Sequence, residues 1–474
     1  MSDPQRLIED VRNRFGPKVA VTDRADIEPW LSDWRGRFHG EALAILAPSS
    51  TEEVAEIVRL AAEHGVALVP QGGNTSMVGG ATPPSDGSAV ILSLRRLNRI
   101  RSIDPAAGLA VAEAGAILAN LHEAAEGQGM RFPLTLGARG SCTIGGLTAT
   151  NAGGTQVLRF GPMRSLVAGV EAVLPDGSIH DGLSALKKDN RGYNLDQLLV
   201  GSEGTLGVIT AVALRLVPAV ASRAVAWAGI ASPERALGLL RFLEAHTRAV
   251  EGFELVAGDS LALVLRHIPG TRSPLDSEHP WHVLIEATTA EAGTDISAEL
   301  QGLLGQALEN GVIADAAIAS SDAQAAAFWR IRETISEAEK TEGQTLAHDI
   351  SVPVSRMPRF ILEAKDEVER RFPGTIASGF GHLGDGNIHF HVRAGSRTTP
   401  DWYASEGPHI TRFVDDLVTA AGGSISAEHG IGQMKIDELE RLAPPGRIHA
   451  LQAIKQALDP LGLMNPGKLV PPVR

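Results

Sequence analysis

Apolar positions early in the chain recur at helical spacing: Val54, Ile57, Val58 and Ala61 line one side of a segment that opens with Ser50-Thr51-Glu52-Glu53. Serine followed three residues later by glutamate is a capping box, which satisfies backbone N–H groups left unpaired at a helix start, so a helix is predicted from there to Gly65. Residues 66–69 are then continuously apolar, the pattern of a buried strand. They lead into Pro70-Gln71-Gly72-Gly73-Asn74-Thr75-Ser76, a loop with no bulky side chain near its centre. Glycine-rich segments recur at 137–146, 151–154 and 201–207.

From about Arg223 the pattern changes to longer Ala- and Leu-rich helices alternating with strands. Strands are predicted over 224–230, 252–256 and 282–287, and helices over 233–246 and 296–310. This is an α+β pattern, antiparallel strands with helices on one face. Beyond Gly432 the chain is mostly helical up to Leu461.

Length and charge narrow the function. A chain of 474 residues suffices for about three domains. Its net charge of -13 argues against nucleic acid or an anionic membrane surface as a partner, because both call for basic surfaces. The single Cys142 rules out an intramolecular disulfide and a redox dithiol. No signal-peptide pattern opens the chain and no apolar run reaches membrane-spanning length, so no transmembrane segment and a cytoplasmic location are expected.

The chemistry concentrates late. Gly381-His382-Leu383-Gly384-Asp385-Gly386-Asn387-Ile388-His389-Phe390-His391 is followed by Glu428-His429-Gly430. Gly-Asp-Gly-Asn reads as a tight turn, with His382 ending one strand and His389 beginning the return strand. Two neutral imidazoles and the Glu428 carboxylate make a three-ligand set with an open position, as in catalytic zinc, although iron, manganese or cobalt accept the same donors. His391, two residues beyond His389 on the same strand face, is a candidate contact to the ligand sphere or the substrate. Adjacent strand residues point to opposite faces, so Glu428 and His429 serve one site only if the backbone bends, which Gly430 and Gly432 permit.

Two motif matches are discarded. Gly379-Phe380-Gly381-His382-Leu383-Gly384 fits G-x-G-x-x-G but runs into turn and strand, not a helix, and Gly462 to Lys468 resembles a P-loop with Leu469 where a hydroxyl is needed. The Pro70 to Ser76 loop differs, since its glycines let backbone N–H groups converge on phosphate. With Asn151-Ala152-Gly153-Gly154 and Gly201-Ser202-Glu203-Gly204 it suits an extended ligand such as a dinucleotide.

Taken in order, Pro70-Gln71-Gly72-Gly73-Asn74-Thr75, Ile144-Gly145-Gly146, Asn151-Ala152-Gly153-Gly154, Gly201-Ser202-Glu203-Gly204-Thr205-Leu206-Gly207, the Gly381 to His389 stretch, Glu428-His429-Gly430-Ile431-Gly432 and Asn465-Pro466-Gly467-Lys468 span nearly the whole chain. They resemble the D-2-hydroxyacid dehydrogenase branch of the vanillyl-alcohol oxidase type flavoproteins, which includes D-lactate, D-2-hydroxyglutarate and glycolate dehydrogenases. The resemblance implies a PCMH-type FAD-binding domain over 1–218, an α+β substrate- and metal-binding domain over 219–431, and a C-terminal helical segment over 432–474 that completes the flavin site. It implies FAD contacts from Pro70, Gln71, Gly72, Gly73, Asn74, Thr75, Ser76, Gly137, Ser141, Gly145, Gly146, Asn151, Gly153, Gly154, Gly204, Gly207, Ile209 and Asn465. Asn74 stands where some relatives carry a flavin-linking histidine, so FAD is expected without a covalent bond.

The same resemblance implies one divalent metal, zinc first, on His382, His389 and Glu428, with His429 as the base and Arg332, Ser336, Asn387 and His391 toward the substrate. Ser336, four residues after Arg332, is expected on the same helix face. The implied reaction takes a proton from the metal-bound hydroxyl of a D-2-hydroxy acid and a hydride to flavin N5, giving the 2-oxo acid. Electron-transfer flavoprotein, quinone and cytochrome remain open as acceptors, and a homodimer is among the admissible assemblies. The competing reading is a flavoprotein subunit with a regulatory or assembly role in a larger glycolate- or lactate-oxidising complex. D-2-hydroxyglutarate-oxidising relatives carry lysine where this chain has Ala347, and tend to carry asparagine where it has His391. Monocarboxylic substrates with short or apolar tails are therefore expected to compete well.

Overall fold

The computed structural model describes residues 2–396 and 398–472. The chain divides into two compact units.

The first comprises Met1–Gly154, Phe160–Ala219 and Glu428–Arg474. Helix Thr51–Glu63 begins as its sequence predicts, with the Ser50 hydroxyl accepting from Glu53 N at 3.2 Å. The return bond is displaced by one residue, because the Glu53 carboxylate accepts from Ser49 N at 2.6 Å. The following strand, Ala67–Gln71, runs on into the glycine loop, and Pro70 and Gln71 pair in parallel with Leu92 and Ser93. Proline is accommodated because this strand ends the sheet order Ala20–Val21, Ile45–Leu46, Ala89–Ser93, Ala67–Gln71. A second, antiparallel sheet orders Ile100–Asp104, Leu109–Glu113, Val208–Arg215, Val167–Val173 and Ile179–Asp181. Helices Ile436–Leu442 and Pro445–Leu458 belong to this unit. So does the stretch from Glu428 to Ile431, which sequence grouped with the substrate domain. The buried Glu203 carboxylate holds it there, accepting from Ile431 N at 2.8 Å and Gly432 N at 2.7 Å.

The second unit comprises Thr155–Arg159 and Val220–Ala427. Its seven-stranded sheet orders Asp315–Ile318, Ser222–Ile230, Trp281–Thr289, Val250–Ala257, Thr375–His382, Asn387–Ala394 and Thr345–Ser351, with every neighbour antiparallel. Helices cover both faces, where one covered face was expected. Along Ser222–Ile230, Ala224, Ala226, Ala228 and Ile230 pack with Leu239 and Leu300, from helices Pro233–His246 and Ile296–Glu309. Val225 and Trp227 point the other way, packing with Val264, Phe328 and Ile335 from helices Gly258–His267, Asp322–Glu333 and Ile335–Glu342. The physical reason is legible in the strand itself, whose central residues are apolar without alternation, as burial on both faces requires. Burying one such large apolar side chain contributes about 1.5–3 kcal/mol, so neither layer is incidental.

Candidate active site

In the first unit a cavity of about 600 Å³ opens beside the end of strand Ala67–Gln71. Every residue assigned to FAD by sequence lines it except Asn151, Gly154 and Asn465. Gly73 lies against the backbone of 141–142 and Gly72 against the Thr143 side chain: a Cβ on Gly73 would fall 2.0 Å from Ser141 O, so no larger residue fits. The three exceptions are scaffold. Asn151 takes a left-handed conformation to cap helix Ile144–Thr150 and accepts from Arg164 N at 2.8 Å. A Cβ on Gly154 would lie 2.4 Å from Thr135 O. Asn465 ties Gly80 O and Glu203 O with its amide nitrogen, at 3.0 and 2.6 Å.

Two residues not expected in this wall change its chemistry. Glu428 and His429 line the same cavity. The chain bends through them outside any strand, and Gly430 follows at φ 82°, so the bend that sequence required is present. Glu203 also lines the cavity, and burial pushes its carboxyl above the usual range despite the two N–H donors on it.

In the second unit the functional side chains share one face of the sheet. His382 is the last residue of Thr375–His382, while His389, predicted to begin the return strand, is third in Asn387–Ala394, two residues further in, and pairs with Phe380. The two imidazole centroids are 5.5 Å apart. Two imidazoles on one tetrahedral ion, with nitrogen at about 2.1 Å, place their centroids about 5 Å apart, so the pair fits one cation. Burial, with Arg332 and His382 beside it, pushes the His389 imidazole well below its usual pKa, which keeps it in the neutral, ligating form. The His382 Nδ1 bonds the Glu254 carboxylate at 2.5 Å. With Nδ1 on Glu254, Nε2 is the nitrogen that would ligate a cation.

Arg332 lies in the last turn of helix Asp322–Glu333, buried, with Nε donating to Glu254 at 2.7 Å and its guanidinium 5.0 Å from the Phe380 ring centroid. Glu254 is itself buried. Burial opposes its ionisation, but His382 and Arg332 outweigh that and hold its pKa down to about 2. Asn387 donates to Asp349 at 2.9 Å, and its buried Oδ1 has no partner among the described residues, an acceptor suited to a ligand donor. His391 bonds the buried carboxylate of Glu339 through Nδ1, and Ser378 donates to the same group at 2.7 Å.

One expectation is corrected. Arg332 and Ser336 do not share a helix, because the helix breaks at Thr334 and Ser336 lies in the first turn of the next, Ile335–Glu342. The Thr334 hydroxyl bonds back to Arg330 O at 2.8 Å, the type of competition that bends helices.

Sequence reasoning missed Glu254, Glu339 and Asp349. The available signal was a charged residue within an apolar run, as in Gly252-Phe253-Glu254-Leu255-Val256, which burial tolerates only with partners.

The chain matches the model of the FAD linked oxidases, C-terminal domain, over residues 220–469 and that of the FAD binding domain over 42–182. It is 38% identical over 460 residues to the mitochondrial D-2-hydroxyglutarate dehydrogenase of Bos taurus, covering 97% of this chain and 82% of that protein. With the D-2-hydroxyglutarate dehydrogenase of Xanthomonas citri pv. viticola it shares 36% over 469 residues, 99% of this chain and 97% of the relative. The chain belongs to the FAD-dependent D-2-hydroxyacid dehydrogenases. A putative mitochondrial D-lactate dehydrogenase of Schizosaccharomyces pombe is 34% identical over 459 residues, 95% of this chain and 86% of that one. Solved p-cresol methylhydroxylase with substrate bound superposes with a TM-score of 0.74 at 15% identity, over 98% of this chain and 96% of that one, and shares the fold. As a D-2-hydroxyacid dehydrogenase the protein binds FAD and acts on a small molecule. Among the described residues no helix is long and apolar enough to cross a membrane.

Proposed function

We propose that the protein oxidises D-2-hydroxy acids to 2-oxo acids with non-covalently held FAD and one divalent cation, monocarboxylic substrates included. The observation that carries the reading is the presence of Glu428 and His429 in the wall of the glycine-lined cavity, a base and a carboxylate beside the cofactor space. When bound, FAD takes up two electrons and the substrate's Cα hydrogen. His382, His389 and Glu428 would hold the cation, which would supply a Lewis acid that makes the α-hydroxyl more acidic, and zinc suits this donor set.

The chain's own residues supply the rest. Arg332 offers the substrate carboxylate the terminal amino groups that its bond to Glu254 leaves over, a charge-assisted contact of about 1.5–3 kcal/mol. His429 accepts the hydroxyl proton at an imidazole nitrogen, so two hydrogens leave the substrate and a carbonyl forms. Asn387 Oδ1 accepts a substrate donor, and His391, fixed by Glu339, borders the substrate's tail. Asn74 donates to Ser32 O at 2.8 Å and offers no nucleophile to the flavin, which supports non-covalent binding. The test is a dye-linked assay of purified protein on D and L acids before and after metal removal. Equal rates on both enantiomers, or rates indifferent to metal, contradict the reading.

A further inference from the structure

Glu254 is a carboxylate in the buried strand Val250–Ala257, 1% exposed, and stands opposite His382 in the strand register. Each of its oxygens is taken by a different functional group. Oε2 accepts from Arg332 Nε at 2.7 Å and Oε1 from His382 Nδ1 at 2.5 Å. Burying a carboxylate is unfavourable unless it is paired, but any two donors would serve that need. Here the donors are the guanidinium read as the substrate's anchor and an imidazole read as a metal ligand.

We propose that Glu254 is a positioning residue that sets metal ligand and substrate anchor together, fixing His382 in the tautomer that presents Nε2 and holding Arg332 side-on so that its terminal amino groups remain for a carboxylate. The inference rests on the proposed roles of His382 and Arg332. Its chemistry is one of counting: a carboxylate gives one acceptor oxygen to each donor, whereas an amide has one oxygen for both and turns its own N–H groups toward the other. In Glu254→Gln either His382 or Arg332 loses its partner.

The experiment measures Zn²⁺ affinity by competition with a chromophoric chelator in the FAD-loaded protein, together with KM at saturating metal. Flavin content reports folding. For Glu254→Gln we expect zinc affinity to fall about 10- to 100-fold, the usual effect of losing a carboxylate behind a ligating histidine, with a raised KM and unchanged flavin content. In Glu254→Gln/Arg332→Met the amide oxygen has only His382 to serve, so zinc affinity returns toward wild type while KM stays high. A purely structural role does not give that recovery. Wild-type zinc affinity and KM in Glu254→Gln, or a double variant as weak in zinc as the single one, overturns the proposal. Should Glu254→Gln not fold, Glu254→Asp, whose shortened carboxylate cannot reach both donors, is judged by the same affinity and KM. The wild-type protein is titrated first: stoichiometric zinc upholds the metal reading independently of Glu254, and its absence overturns that reading and this proposal with it.

Discussion

Ala347 stands directly across from His391 in the antiparallel pair formed by Thr345–Ser351 and Asn387–Ala394. Residues so paired project from the same face with Cβ atoms about 4.5–5.5 Å apart, so a side chain built at 347 would emerge beside the imidazole. His391 is already engaged by Glu339, and Ala347 offers no cation for a substrate's second carboxylate. In the unmodified protein, D-lactate and a longer aliphatic D-2-hydroxy acid should therefore compete well with D-2-hydroxyglutarate. Ala347→Lys should move the ratio of kcat/KM values about one to two decades toward the diacid, the worth of a charged partner to a carboxylate. Strong diacid preference before the substitution, left unchanged by it, contradicts this account of the pocket.

His429 is assigned the proton and not the metal. His429→Asn should retain metal and flavin yet reduce flavin about 10²-fold or more slowly, the scale expected for a lost general base. Stopped-flow reduction with metal analysis on the same sample decides it, since loss of metal in His429→Asn together with retention in His382→Ala reverses the two roles.

Stability should carry an acid-sensitive component from a histidine outside the proposed chemistry. His282 is buried against Trp227 and His279, with ring centroids 5.9 and 5.8 Å away. Burial, then the neighbouring His279, lowers its pKa from 6.5 to about 4. Between those values the unfolded chain binds a proton that the folded chain does not, so stability contributed by this group is full above pH 6.5 and declines as pH falls toward 4. His282→Phe should flatten the fall in unfolding midpoint between pH 7 and pH 5, which urea titrations at several pH values would show. An unchanged slope would assign the sensitivity to other groups.

Much of this was legible because it depends on local pattern. The capping box gave helix Thr51–Glu63, and Pro233 to His246 was bounded by proline at its start and the loss of apolar period at its end. The glycine loops were readable because close backbone approach, as at Gly73 against Ser141, excludes other residues. What escaped depends on partners far along the chain. Glu254 acquires meaning from His382 and Arg332, 128 and 78 residues away, and Glu339 from His391, 52 away. The helix break at Thr334 was missed because a single back-bonded hydroxyl leaves the apolar period nearly intact. Covered sheet faces were miscounted since an unbroken apolar strand reports burial on both sides only when length and neighbours are weighed together.

The central claim is that metal and flavin act together on the D enantiomer of a 2-hydroxy acid. Its most direct test is anaerobic mixing of the purified protein with D-lactate, L-lactate and D-2-hydroxyglutarate while the flavin band at about 450 nm is followed, with and without prior chelation. The account predicts bleaching by D acids alone, no bleaching after chelation although the oxidised flavin spectrum persists, and recovery on adding zinc. Equal bleaching by the L acid, or undiminished bleaching in a fully demetallated sample, would contradict it.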